Sequence, residues 1–172
     1  SVNQGEILAL LGENGSGKTT LMNILAGIYY PDSGTISIDG KPVSIQSPED
    51  ANQLGIGMIH QHFKLVDIYT ATDNIILVDS ANGFLLSKQR SAKVLELSKR
   101  YHIEVDPDKK VYNMSVSEKQ TVEILKVLYR GAKILILDEP TAVLTPQETQ
   151  KLFHILRQMR NEGCAVIIIT HK

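Results

Sequence analysis

Eight consecutive residues carry the strongest chemical signal in the chain: Gly12-Glu13-Asn14-Gly15-Ser16-Gly17-Lys18-Thr19, a G-x-x-x-x-G-K-[ST] run. Its glycines let the backbone curl until successive N–H groups point inward, so that the stretch Gly12, Asn14, Gly15, Ser16, Gly17 is suited to cradle phosphate oxygens. Lys18 would reach the β- and γ-phosphates of a nucleoside triphosphate, the Thr19 hydroxyl would ligate Mg²⁺, and Thr20 would add a phosphate contact. The bland reading is a glycine-rich turn with a solvated lysine. The strand-like run before the loop and the helical spacing after it argue against that reading.

A second constellation follows later. Ile134-Leu135-Ile136-Leu137-Asp138-Glu139 puts two acids where an apolar strand ends. Asp138 is expected to hold Mg²⁺ and Glu139 to orient and polarise an attacking water. His171 follows the apolar run Ala165 to Thr170, and Gln61 follows Gly55 to Ile59. If those runs are parallel neighbouring strands, both side chains emerge at the edge that carries Asp138, where ligands of α/β sheets bind. There His171 could donate to the γ-phosphate, and Gln61 could bind the metal or the water. A histidine after a strand is more often an ordinary surface residue, so His171 draws its weight from the constellation.

The elements that must position these groups are legible in the hydrophobic pattern. Ile7 to Leu11 reads as a buried strand, Gly12 to Gly17 as a loop, and Leu21, Ile24 and Leu25 as one face of a helix. Thr35 to Ile38 alternates as a strand, Asp39-Gly40 marks a hairpin turn, and Ser47-Pro48-Glu49 starts a short helix. Gly55 to Ile59 is a strand ending at His60-Gln61-His62, after which helices are expected through about Tyr129. Val94, Leu95, Leu97 and Tyr101 mark one of these, and Val122, Ile124, Leu125 and Leu128 another, with Asp106-Pro107 breaking the chain between them. Ile134 to Leu137 is a strand, Thr145-Pro146-Gln147-Glu148 a capping box opening a helix that Gly163 ends, and Ala165 to Thr170 a last strand. Strands alternating with helices give an α/β fold with a mainly parallel sheet.

At 172 residues one domain is the default. Lysine plus arginine, 18, nearly balances aspartate plus glutamate, 19, and no basic run tracks a nucleic-acid backbone, so no nucleic-acid partner is expected. No apolar stretch approaches the roughly 20 residues that span a bilayer. The single Cys164 beside an apolar run is expected to be a buried thiol in a reducing compartment. Ser1 to Glu6 shows no signal-peptide pattern, and the chain is expected to be cut from something longer.

Taken in order, the phosphate loop at Gly12 to Thr19 (Walker A), Gln61 (a Q-loop), Ser115 (a signature region), Asp138-Glu139 (Walker B) and His171 (an H-loop) resemble the ATP-binding cassette (ABC) ATPases along essentially the whole chain. His60-Gln61-His62-Phe63 and the stretch from Val122-Glu123-Ile124-Leu125-Lys126 to Leu144-Thr145-Pro146-Gln147-Glu148 resemble the first of two tandem cassettes in bacterial simple-sugar and nucleoside importers. The resemblance implies a P-loop NTPase core of the RecA-like, ABC type over residues 1–62 and 130–172, with a helical subdomain inserted over 63–129. The family's N-terminal antiparallel strands, which carry an adenine-stacking aromatic, and its C-terminal part are expected to be missing.

The resemblance further implies ATP and Mg²⁺ as ligands, with Thr19, Gln61 and Asp138 toward the metal and Glu139, His171 and Gln61 in hydrolysis. Two cassettes would close head to tail, so that Ser115 and Ser117 contact the nucleotide held by the partner. Closure would act on membrane permease subunits fed by an extracytoplasmic solute-binding protein. The location implied is cytoplasmic, peripheral on the inner face of the cell membrane.

Two departures qualify the resemblance. The usual L-S-G-G-Q signature reads Met114-Ser115-Val116-Ser117-Glu118 here, so neither glycine is kept. Glycine lets backbone N–H groups approach a phosphate closely, so a degenerate nucleotide-gated dimerisation module with little hydrolysis stands as an alternative. Ala142-Val143-Leu144-Thr145 has threonine where the commoner form has aspartate, which resembles the sugar and nucleoside branch. A soluble non-transport ABC protein is a further alternative, disfavoured by the near-neutral charge. GTPases are set aside because no N-K-x-D motif is present. A small-molecule kinase would not need the set Gln61, Ser115 and His171.

Overall fold

The computed structural model describes residues 1–77 and 87–171. Within them the order is β1 (Ile7–Leu11), α1 (Lys18–Leu25), β2 (Ile36–Ile38), β3 (Lys41–Val43), α2 (Pro48–Gln53), β4 (Ile56–Ile59), α3 (Ala71–Ile76), α4 (Ser87–Arg100), α5 (Val116–Tyr129), β5 (Ile134–Asp138), α6 (Pro146–Asn161) and β6 (Ala165–Thr170). The alternation expected from the sequence is therefore present, and α3 to α5 fall between β4 and β5. Residues 78–86 of the expected helical stretch lie outside the described residues.

Four strands form one parallel sheet in the order β1-β6-β5-β4. The inner strands β5 and β6 are apolar on both faces, as a sheet covered on two sides requires. Period-two alternation divides their side chains between two cores. Leu135, Leu137, Val166 and Ile168 join Ile124, Leu125, Leu152, Leu156 and Met159 on one side. Ile136, Ile167 and Ile169 join Met22, Ile45 and Ala51 on the other. On the first side α5 comes close enough that a Cβ on Gly57 would stand 2.9 Å from Val127 Cβ and 3.1 Å from Ala132 Cβ.

Local signals set the element boundaries. Asp39 and Gly40, at φ 51° and 74°, make the left-handed turn that joins β2 to β3 antiparallel. Ser47, Thr70, Ser115 and Thr145 each accept from the backbone N–H three residues on, and so cap α2, α3, α5 and α6. The helix expected to include Tyr101 ends at Arg100, although Tyr101 is buried. Leu95, expected on its apolar face, is exposed.

Candidate functional site

Register decides where the chemistry collects. Leu11 pairs with Thr170, Asp138 with Ile169, and Ile59 with Leu137. Because the strands are parallel, their C-terminal ends line up along one edge. The residues that follow those ends, Gly12, His171, Glu139 and His60-Gln61, leave the sheet together. This is the edge at which open α/β sheets present ligand-binding loops.

At the first strand end the loop wraps around its own lysine. Lys18 Nζ donates to the carbonyls of Gly12 (2.6 Å) and Glu13 (2.8 Å) and to Ser16 Oγ (3.3 Å). Gly15 and Gly17 lie at φ 86° and 87°, a region that a Cβ makes costly. Gly17 caps α1 with no side-chain bond, so the first-turn N–H groups of α1 have no side-chain acceptor at the cap. Those groups and the positive end of the helix dipole suit an anion. Asn14, Gly15, Ser16, Thr19 and Thr20 are exposed on this loop and first turn.

At the next two strand ends the acids separate by surroundings. Glu139 Oε1 lies 2.7 Å from His171 Nδ1, and Thr170 Oγ1 donates toward Glu139 Oε2 at a long 3.4 Å. Glu139 itself stands at φ 48°, with its N–H donating to Ile169 O at 3.0 Å. Burial, and then the charge of Glu139, pushes the Asp138 carboxyl above its ordinary range, while His60 and Lys18 pull it back. His60 is held below the ordinary histidine range by burial and by Lys64, against the pull of Asp138. Gln61 is exposed and lines one hollow of about 490 Å³ with His60, Asp138 and Glu139.

Thus Lys18, Asp138, Glu139, His171 and Gln61 share the sheet edge, as the sequence suggested. Ser115 and Ser117 do not line that hollow. They open a separate one between α4, α5 and α6, lined also by Gln147 and Lys151. Ser115 Oγ accepts from Glu118 N (3.2 Å), while Glu118 Oε2 accepts from Ser115 N (2.7 Å), so Ser115 serves α5 as its cap.

Sequence reasoning assigned His60 no role, although it follows β4 beside Asp138 and lines the same hollow. It also passed over Gln120, whose Nε2 donates to Pro140 O at 2.9 Å just past the acid pair. A glutamine and a glutamate, Gln120 and Glu123, recur three residues apart beside the apolar positions of α5, and that was the available signal.

Comparison with known proteins agrees with this geometry. The family model described as "ABC transporter" matches residues 1–142. Among curated relatives, the nucleoside import ATP-binding protein NupA of Lactococcus lactis is 54% identical over 98% of this chain and 34% of its own length. The guanosine import ATP-binding protein NupO of Bacillus subtilis is 51% identical over 96% of this chain and 33% of its own. The chain thus spans about a third of the length of the curated relatives it matches. Among solved structures, cbiO1 of Clostridium perfringens, part of the ABC transporter complex cbiONQ, superimposes with a TM-score of 0.84 at 34% identity, covering 100% of this chain and 69% of its own. With the phosphate loop, the acid pair and the histidine on one sheet edge, and with a family model matched over most of its length, the chain belongs to the ABC transporter family.

Proposed function

We propose that this chain binds ATP with Mg²⁺ and hydrolyses it as one cassette of a pair, and that the work drives import of a nucleoside through a membrane permease. The observation that carries this reading is the alignment of four strand ends, which gathers Lys18, Gln61, Asp138, Glu139 and His171 along one edge. The residue division 1–62 with 130–172 as core and 63–129 as helical subdomain belongs to the same proposal.

The chemistry follows from the side chains. Backbone N–H groups of the Gly12 to Gly17 loop and the α1 N-terminus bind the triphosphate, and Lys18 exchanges its loop carbonyls for phosphate oxygens. Thr19, Asp138 and Gln61 are hard oxygen donors suited to Mg²⁺. That ion would supply charge neutralisation on the transferred phosphoryl group.

Glu139, its carboxylate oriented by His171, accepts hydrogen bonds from the attacking water and polarises it. Thr20 adds a phosphate contact. Ser115 and Ser117, on a separate hollow, are presented to the nucleotide of the second cassette.

The partners proposed are that second cassette and the permease, with a solute-binding protein acting through the permease. No helix of the described residues is long and apolar enough to cross a membrane. Attachment to the inner face through the permease belongs to the same proposal. Nucleoside is preferred as the solute because the relatives named for nucleoside and guanosine import are 54% and 51% identical.

The test is uptake of labelled guanosine by vesicles holding the full-length protein and its permease, with ATP supplied on the cassette side. ATP-dependent uptake that Lys18→Ala abolishes is expected. Uptake independent of ATP or of Lys18 would contradict the proposal, and transport of ribose in place of guanosine would correct the solute.

A further inference from the structure

The backbone just beyond Gln61 is gripped from one side by α5. Lys64 N donates to Glu123 Oε1 at 2.9 Å, and Lys126 Nζ donates to Lys64 O at 2.9 Å, so both polar groups of one residue's main chain are bound by side chains of one helix. Glu123 and Lys126 stand 4.0 Å apart, with side chains 8% and 13% exposed. A carboxylate and an ammonium withdrawn from water to this degree are retained only with partners, and here the shared partner is loop backbone.

Two residues further on the same device recurs. Val66 N donates to Asn74 Oδ1 at 2.7 Å and Asn74 Nδ2 donates back to Val66 O at 3.1 Å, with Asn74 1% exposed. One turn back along α5, Gln120 holds Pro140 O beside the acid pair. The helix therefore binds backbone on both sides of the hollow that Gln61, Asp138 and Glu139 line, and its own N-terminus is capped by Ser115.

We propose that Glu123 and Lys126 are positioning residues for hydrolysis, fixing the main chain at Lys64 so that Gln61 is held in register with Glu139. The proposal rests on the hydrolytic reading given above. Neither residue touches the phosphate loop, so their loss should act on turnover and spare nucleotide affinity. Glu123→Gln keeps an oxygen that can accept from Lys64 N–H, whereas Glu123→Ala leaves that buried N–H without its acceptor. Lys126→Met keeps the apolar stem and removes the donor to Lys64 O together with the charge 4.0 Å from Glu123.

The experiment measures ATP binding and steady-state hydrolysis on the full-length protein, for the parent, Glu139→Gln, Glu123→Ala, Glu123→Gln and Lys126→Met. Glu123→Ala is expected to lower kcat about tenfold or more with ATP affinity within about twofold, Lys126→Met to lower kcat about threefold or more, and Glu123→Gln to recover most of the rate. Amide exchange at Lys64 should quicken in Glu123→Ala and Lys126→Met. If Glu123→Ala does not fold, Lys126→Met and Glu123→Gln carry the test alone. Parent-like kcat in Lys126→Met and Glu123→Ala, or a loss confined to affinity, would overturn the positioning role while leaving the hydrolytic reading intact. A parent that turns over no ATP, or that Glu139→Gln does not slow, would overturn both.

Discussion

Glu139 holds a left-handed backbone, φ 48°, that costs a residue with a Cβ about 1–2 kcal/mol. The strain aims its carboxylate back across the strand end, where it meets His171 Nδ1 at 2.7 Å. Asparagine and β-branched residues differ sharply in their tolerance of this conformation. Glu139→Val should therefore be about 1–2 kcal/mol less stable than Glu139→Asn in chemical denaturation, although both delete the same carboxylate. Equal stabilities would mean that φ at this position carries no strain. Lys18 makes a separate prediction: its ammonium now bonds three loop oxygens, so Lys18→Ala should lower ATP affinity in a titration by about tenfold or more. Residue types in fixed spacing made Lys18, Asp138 and Glu139 legible in the sequence. The closeness of His60 to Asp138 was not, because it depends on how β4 and β5 are registered, and single-chain spacing holds no record of that.

Elements were read well where periodicity and caps agree. β5, β6 and α6 carry unbroken apolar signals, and Thr145 with Glu148 forms the reciprocal cap its spacing suggested. α3 was not singled out because it is short, and the reciprocal bonds of Thr70 and Asp73 mark it more clearly than any apolar face. Those bonds make a pH prediction. The Thr70 hydroxyl is the largest influence and, with lesser help from the Thr70 backbone N–H and the charge of Lys110, holds the Asp73 carboxyl below its ordinary range against the opposing effect of burial. A carboxyl depressed in the folded state stabilises the fold above its unfolded pKa and loses that contribution as pH falls through the folded value. The melting-temperature gap between the parent and Asp73→Asn should accordingly be present at pH 6 and narrow below about pH 4. A gap that stays constant to pH 3 would contradict the assignment. Packing of α5 on β4 makes another. Gly57 has ordinary φ but no room, so Gly57→Ala should destabilise by about 1–3 kcal/mol through overpacking against Val127 and Ala132. An unchanged denaturation midpoint would show that α5 can shift.

At the scale of the molecule, one parallel sheet serves as a ruler that sets four chain reversals side by side, and two cores on its faces keep the ruler stiff. That architecture followed from alternating strand and helix patterns. The separation of Ser115 from the phosphate loop was legible only through family resemblance, since nothing in a serine's type or position says which molecule it faces. The structure gives Ser115 a local duty as the cap of α5 and places it on a hollow that Gln61 does not line. The most direct measurement of the central claim is paired ATP binding and hydrolysis by the full-length protein carrying Glu139→Gln. The account predicts ATP affinity within about twofold of the parent and hydrolysis reduced by about a hundredfold or more. Undiminished hydrolysis with Glu139 replaced would contradict it.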